Sequence, residues 1–199
     1  MLEVTGNAEQ TASINVTSAE LLVAGGASYA LDANNSILGN GTLAVAGTLT
    51  AAGDGVETIS TNVVDSGVIA ANLGTLELSG AVTGSGAFSI GTLGLLQFGP
   101  SATVAASDSV SFTGGTGALV LDDPTTFSAT IADFAKGDTI GLYGFGDTLT
   151  FSPVQGFNTQ INVSDGQGDS VILTFATAQN VNNFSYGAGP QGLTSVMHT

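Results

Sequence analysis

Gly74-Thr75-Leu76-Glu77-Leu78 carries the pattern that decides the fold: a glycine, a small residue, and then an apolar–any–apolar triplet. Because side chains alternate between the two faces of a strand, the triplet predicts a short strand with one buried face. The pattern returns, with some variation at its second position, at residues 41–45, 86–90, 94–98 and 117–121. One such strand cannot bury a core alone, whereas stacked copies can, so the pattern predicts a repeat architecture.

The spacing of these copies favours an all-β solenoid with uneven turns. The copies begin 33, 12, 8 and 23 residues apart, and further short apolar pairs lie between them. Short strands that recur with turn signals indicate an all-β fold. Three-residue strands are too short for a typical β-sandwich, which remains the alternative. We therefore predict a right-handed parallel β-helix, or β-solenoid, with roughly 20 residues per turn.

The chain divides into three predicted segments. Residues 1–36 alternate weakly and are interpreted as N-terminal strands that form a cap, and residues 37–142 hold the solenoid. Residues 143–199 concentrate the aromatic side chains and contain the turn Asp165-Gly166-Gln167-Gly168 between alternating stretches. An open solenoid exposes unpaired backbone at its ends. We therefore predict an antiparallel β-hairpin cap over residues 143–199.

The charge balance excludes several classes of function. The chain has one Lys or Arg in total, 16 Asp or Glu, and a formal net charge of −15. Nucleic-acid binding needs cations to neutralise phosphates, and an anionic membrane surface needs a polybasic patch, so neither partner is expected. The chain has no cysteine, which excludes disulfides and thiolate chemistry. No apolar run reaches the roughly 18 residues of a membrane-spanning helix, so no transmembrane segment is expected.

Two stretches resemble known bacterial surface proteins. Residues 72–86 are similar to the β-helical repeats of autotransporter-like adhesins. Leu121-Asp122-Asp123-Pro124, together with residues 131–142, resembles the terminal modules of type I secreted surface proteins of the alphaproteobacterial kind. The resemblance implies an extracellular or cell-surface location and export through an uncleaved C-terminal signal. It does not extend to the glycine-rich nonapeptide that binds Ca²⁺ in repeat-in-toxin β-rolls, which this sequence lacks as a repeat.

The acidic residues of the second half are the candidate metal ligands. Carboxylates at successive turns of a solenoid can supply the oxygen ligands that Ca²⁺ prefers. The alternative is that each aspartate accepts hydrogen bonds from the backbone of its own turn. The candidate Ca²⁺ ligands are Asp122, Asp123, Asp133, Asp138, Asp165 and Asp169.

Three functional hypotheses follow. The first is an extracellular structural or adhesive protein that forms homo-oligomers or polymers, such as a fibre, a biofilm matrix or a surface layer, by stacking of solenoids. The second is a β-helix that binds or degrades a surface glycan, for which Asp122 and Asp138 are the candidate carboxylate pair. The third is a secreted module whose folding depends on Ca²⁺. We do not expect an enzyme. Lys136 is the only Lys or Arg that could act as a cationic base, and the sequence around it is typical of a solvent-exposed turn.

Overall fold

The computed structural model describes all 199 residues and is a parallel β-solenoid of about seven turns, followed by antiparallel strands. A full turn consists of three short strands, and equivalent strands of successive turns pair in parallel to form three sheets. The predicted all-β solenoid with an antiparallel C-terminal element is thereby confirmed. No helix is long and apolar enough to cross a membrane.

The three sheets are named A, B and C in the order in which the chain first enters them. Sheet A contains β1 (Leu2–Val4), β4 (Glu20–Val23), β7 (Thr42–Val45), β10 (Asn62–Asp65) and β13 (Val82–Gly84). Sheet B contains β2 (Asn7–Gln10), β5 (Ser28–Leu31), β8 (Thr48–Ala51), β11 (Val68–Ala71), β14 (Ala87–Ile90), β16 (Ser109–Phe112), β18 (Thr130–Ala132), β22 (Ser170–Phe175), β21 (Phe157–Ser164) and β20 (Thr150–Val154). Sheet C contains β3 (Ile14–Asn15), β6 (Ser36–Leu38), β9 (Val56–Ile59), β12 (Gly74–Leu78), β15 (Gly94–Phe98), β17 (Ala118–Leu121), β19 (Thr139–Leu142), β24 (Thr194–His198) and β23 (Phe184–Ala188). Short 3₁₀ turns lie at Pro124–Thr126, Val181–Asn183 and Pro190–Gly192.

The uneven spacing of the glycine pattern comes from its distribution over all three sheets. Residues in register on neighbouring turns are 19 to 23 residues apart, as in the pairs Leu2–Leu21 and Ile14–Ile37. The copies at 41–45 and 86–90 belong to β7 and β14, on sheets A and B, whereas the other three form β12, β15 and β17 on sheet C. The turn length is therefore nearly regular, although the pattern recurs irregularly along the chain.

Alternation of side chains builds a narrow apolar interior. In β7, for example, Leu43 and Val45 are fully buried, whereas Thr42 and Ala44 are half-buried on the outer face. The interior side chains of all turns join one cluster of 42 buried apolar residues. The parallel ladders keep equivalent interior positions in line, so each turn buries the apolar face of the next.

The two ends of the solenoid differ. At the C-terminal end, β22 pairs in parallel with β18 and carries the antiparallel strands β21 and β20, while β24 pairs antiparallel with β19 and carries β23. Phe134 joins this cap to the solenoid, since its ring lies 5.3 Å from that of Phe112 and 6.0 Å from that of Phe175. At the N-terminal end, β1, β2 and β3 are the outermost strands of their sheets. Residues 1–36 thus contribute strands to all three sheets of the solenoid.

Candidate functional site

A surface pocket lies where three neighbouring strands of sheet C end. Parallel strands in register finish at the same edge of a sheet, and Phe98, Leu121 and Leu142 occupy one ladder at the ends of β15, β17 and β19. Asp122 and Tyr143 follow directly after the second and third of these strands, and each donates its backbone N–H to the preceding turn. The pocket has a volume of about 370 Å³ and is lined by Gln97, Pro100, Asp122, Tyr143 and Gln191.

Hydrogen bonds fix the orientation of the polar side chains in this pocket. Gln97 Nε2 lies 3.0 Å from both carboxylate oxygens of Asp122. An ionised carboxylate only accepts, so the NH₂ of Gln97 must face Asp122 and its carbonyl must face the other way. That carbonyl accepts a 2.8 Å hydrogen bond from Gln191 Nε2. The three side chains therefore have one consistent arrangement of donors and acceptors.

Gln191 reaches the pocket from the C-terminal cap. It lies in the turn between β23 and β24 and has φ of 57°. This left-handed conformation is unfavourable for a residue other than glycine and costs about 1 kcal/mol. The same turn places Leu193 over Gly141, where a Cβ would lie 3.4 Å from the Leu193 side chain. The cap thus covers part of the outer face of sheet C and completes one wall of the pocket.

Three of the predicted calcium ligands accept hydrogen bonds that account for their positions. Asp123 caps the 3₁₀ turn at Pro124–Thr126 and accepts from the backbone N–H and the hydroxyl of Thr125. Asp133 accepts from the hydroxyl of Ser111 at 3.0 Å. Asp165 accepts from the amides of Gln167, Asp169 and Gly146, and the hydrogen bonds from Gln167 and Gly146 lower its pKa.

The six residues do not form a joint ligand set. No group of three or more His, Cys, Asp or Glu side chains is arranged so that it could hold a metal ion. Asp122 belongs to the surface pocket, and Asp169 contributes its backbone N–H to the turn of Asp165. Calcium binding by these residues stays a prediction; Asp123 and Asp165 accept hydrogen bonds mainly within their own turns, whereas Asp122, Asp133 and Asp138 each accept from a residue one turn earlier.

Asp138 is buried and connects two turns of the solenoid. Its carboxylate accepts from the amides of Ala135 in its own turn and of Gly117 one turn earlier, at 2.9 Å each. Asp108 has a related role before β16: it accepts from the amide of Ala105 at 2.8 Å. Burial raises the pKa of both carboxyl groups, while the amide of Gly86, one turn earlier, lowers the pKa of Asp108. These aspartates therefore hold successive corners together, through glycines that begin copies of the repeated pattern.

The proposed glycosidase pair is held apart by the strand geometry. Asp138 precedes β19, whereas Asp122 is adjacent to Tyr143 at the far end of the same strand. Five residue steps along the strand separate Asp138 from Tyr143, which corresponds to roughly 16 Å. Paired carboxylates of glycosidases lie about 5 to 10 Å apart. Asp138 is also only 1% exposed, so this pair does not present two carboxylates to one substrate.

Two further carboxylates, which were not predicted from the sequence, lie inside the solenoid. Glu57 is completely buried in the ladder position of Leu76, and neither of its carboxylate oxygens has a hydrogen-bond partner. Asp65 accepts from the amide of Gly67 at 2.9 Å, while its second oxygen is buried without a partner. Burial raises the pKa of both groups, and the pKa of Asp65 reaches about 6. Their inward orientation could have been predicted from strand alternation, because Glu57 and Asp65 each lie two residues from an apolar residue on the buried face of the same strand.

The fold and these sites define the chain as a member of the structural class of parallel β-solenoids. Comparisons with protein-family models, with curated proteins and with solved structures find no match. The resemblance to type I secreted and autotransporter-like surface proteins therefore stays a prediction.

Proposed function

We propose that the chain is a structural and adhesive protein of the bacterial cell exterior, and that it assembles with copies of itself through its flat faces and ends. The observation that carries the proposal is the outer face of sheet B. From the second to the seventh turn the strand residues of this face are all small and uncharged, although the molecule as a whole has a net charge of −15; one carboxylate, that of Asp133, reaches the face at Ser111. The strand residues are Ser28, Ala30, Thr48, Thr50, Val68, Ala70, Ala87, Ser89, Ser109, Ser111, Thr130 and Ala132.

A face whose strand residues are all uncharged supports lateral association for a simple electrostatic reason. Two strongly acidic molecules repel each other wherever their carboxylates approach. A sheet of small side chains lets two copies approach closely without bringing like charges together. The parallel ladders also keep the face regular over several turns, so that a contact made by one turn is repeated by the next.

The N-terminal turn offers a second contact. The outer edges of β1, β2 and β3 pair with no other strand of residues 1–199, and an edge of this kind pairs readily with a further strand. An apolar hollow of about 320 Å³ lies beside them, and Leu2 is 63% exposed there. Because the cap occupies the other end, stacking through these edges joins two copies end to end. Lateral contacts through sheet B then extend such pairs into a fibre or layer.

The composition supports an exterior location. Only 9% of the residues are charged, and most of the polar surface consists of uncharged side chains. A chain without cysteine is also indifferent to an oxidising environment. Cell fractionation and surface labelling of the producing bacterium would test this part of the proposal, and recovery of the chain only from the cytoplasm would contradict it.

Matched substitutions test the assembly. Val68 and Val64 belong to adjacent strands of the same turn and are 36% and 46% exposed, but Val68 faces outward on sheet B and Val64 on sheet A. We expect Val68→Glu to reduce the mass of the assemblies in light scattering and electron microscopy, whereas Val64→Glu leaves them unchanged. A wild-type protein that remains monomeric at all concentrations, or equal effects of the two variants, would refute assembly through sheet B.

The end contact has its own control. Leu2→Asp places a charge at the open end, and Leu93→Asp places one at a side chain that is 64% exposed in the corner between β14 and β15. Only Leu2→Asp is expected to lower the yield of end-to-end pairs.

A further inference from the structure

We infer that the pocket formed by Gln97, Asp122, Tyr143 and Gln191 binds a neutral glycan. This inference deepens the adhesive part of the proposed function and rests on it. The site is complete within one chain, so its test can be read on a single copy and is separate from the test of assembly.

The polar groups of the pocket match the hydroxyl groups of a sugar. Each oxygen of the Asp122 carboxylate accepts one hydrogen bond from Gln97 and retains further acceptor capacity. Two neighbouring hydroxyl groups can therefore donate to one carboxylate. The carbonyl of Gln191 is a further acceptor, because its NH₂ is directed at Gln97. The pocket is consequently rich in acceptors, and hydroxyl groups are the donors that a neutral sugar supplies.

Tyr143 supplies the apolar part of the site. Its side chain is 62% exposed, although an aromatic ring of this size is usually buried at least in part. A ring at the rim of a polar pocket can cover the C–H face of a sugar, with few torsions to be immobilised. The polar side chains are already held by the hydrogen bonds of Gln97, so binding requires little reordering of the protein.

The charge of the site selects against acidic sugars. The pocket contains the ionisable carboxyl group of Asp122 and no Lys or Arg, and the whole chain carries a net charge of −15. A uronate would bring a second carboxylate to this position without any cation to neutralise it. A shallow pocket of about 370 Å³ buries one or two sugar units. We expect a Kd on the order of 1 mM for a neutral oligosaccharide.

The test uses saturation-transfer and chemical-shift NMR on dilute, monomeric protein with three neutral probes: cellohexaose, maltohexaose and mannohexaose. A polygalacturonate oligomer serves as the charged probe. At least one neutral probe should bind and the charged one should not. Tyr143→Ala and Asp122→Asn should each weaken binding at least tenfold. Tyr186→Ala, which removes an exposed tyrosine from β23 outside the pocket, should leave binding unchanged.

A further pocket variant, Gln191→Ala, distinguishes loss of binding from loss of folding. Gln191 is exposed in a turn, so Gln191→Ala should fold normally and still weaken binding several-fold. The inference is overturned if none of the three neutral probes binds, if the polygalacturonate oligomer binds more tightly than they do, or if binding survives in all three pocket variants. Absence of binding in a protein that does assemble would remove the glycan site and leave the assembly proposal intact.

Discussion

Asp65→Asn should stabilise the solenoid at neutral pH and have little effect in acid. Asp65 is 1% exposed and lies inside the fourth turn, in the ladder position of Val45. Burial raises the pKa of its carboxyl group from 3.8 to about 6; the amide of Gly67 opposes this shift, and the nearby charge of Asp108 adds to it. A pKa that is higher in the folded than in the unfolded state means that the folded protein binds the proton more tightly.

The sign and size of the effect follow from this shift. Below about pH 3.8 the carboxyl group is neutral in both states and its contribution to stability is fully present. As the pH rises through about 6, the folded state must accept a buried charge, and stability is lost. A shift of roughly two pKa units corresponds to about 3 kcal/mol. Asn retains an acceptor for Gly67 and never ionises, so the variant does not incur this loss.

Urea unfolding followed by circular dichroism, at intervals from pH 3.5 to 7.5, measures the difference. The free energy of unfolding of Asp65→Asn minus that of the wild type should increase by up to about 3 kcal/mol across this range. At neutral pH this corresponds to a melting temperature higher by roughly 6 to 12 °C. Asp147→Asn removes the same charge from an exposed position and controls for net charge. A difference that stays constant with pH, or a variant that is less stable at pH 7.5, would refute the reasoning.

Three further predictions concern the core, the cap and calcium. Glu57→Leu replaces a buried carboxyl group that has no hydrogen-bond partner and that lies next to Leu76 in its ladder. In urea titrations at pH 7 the variant should have a free energy of unfolding higher by about 1–3 kcal/mol, and a loss of stability would contradict this. Phe134→Ala should cost about 3–5 kcal/mol, and hydrogen exchange of β20–β24 should accelerate more than that of β4–β12, since the Phe134 ring contacts both the solenoid and the cap. Because the carboxylates of Asp123 and Asp165 already accept hydrogen bonds within their own turns, chelator should leave the melting temperature unchanged, and a rise on adding Ca²⁺ would instead support the calcium hypothesis.

The predicted solenoid depended on features that are local in sequence. An apolar–any–apolar triplet after a glycine specifies a strand with one buried face wherever it occurs, and the abundance of glycine and small polar residues excludes long helices. The aromatic side chains after residue 142 likewise indicated a separate end piece. The assignment of each copy to a sheet was not available from spacing, because a distance of 8 residues between copies crosses one corner and one of 12 crosses two, whereas one of 20 connects neighbouring turns of one ladder.

The sequence by itself determined that this protein is an all-β repeat with an acidic, cysteine-free composition. Strand alternation can be recognised within a few consecutive residues, and net charge and cysteine content are sums over the whole chain. Only the tertiary structure decided which side chains meet. Asp122 lies beside Gln97 and Tyr143 because neighbouring turns of sheet C end at one edge, and Gln191 reaches them from 94 residues beyond Gln97 because the cap folds back over that sheet. Asp138 was a candidate metal ligand and Asp65 was not identified, yet Asp65 has a buried oxygen without a partner and Asp138 joins two turns. Such pairings depend on the register between turns, and register is a property of the stacked solenoid.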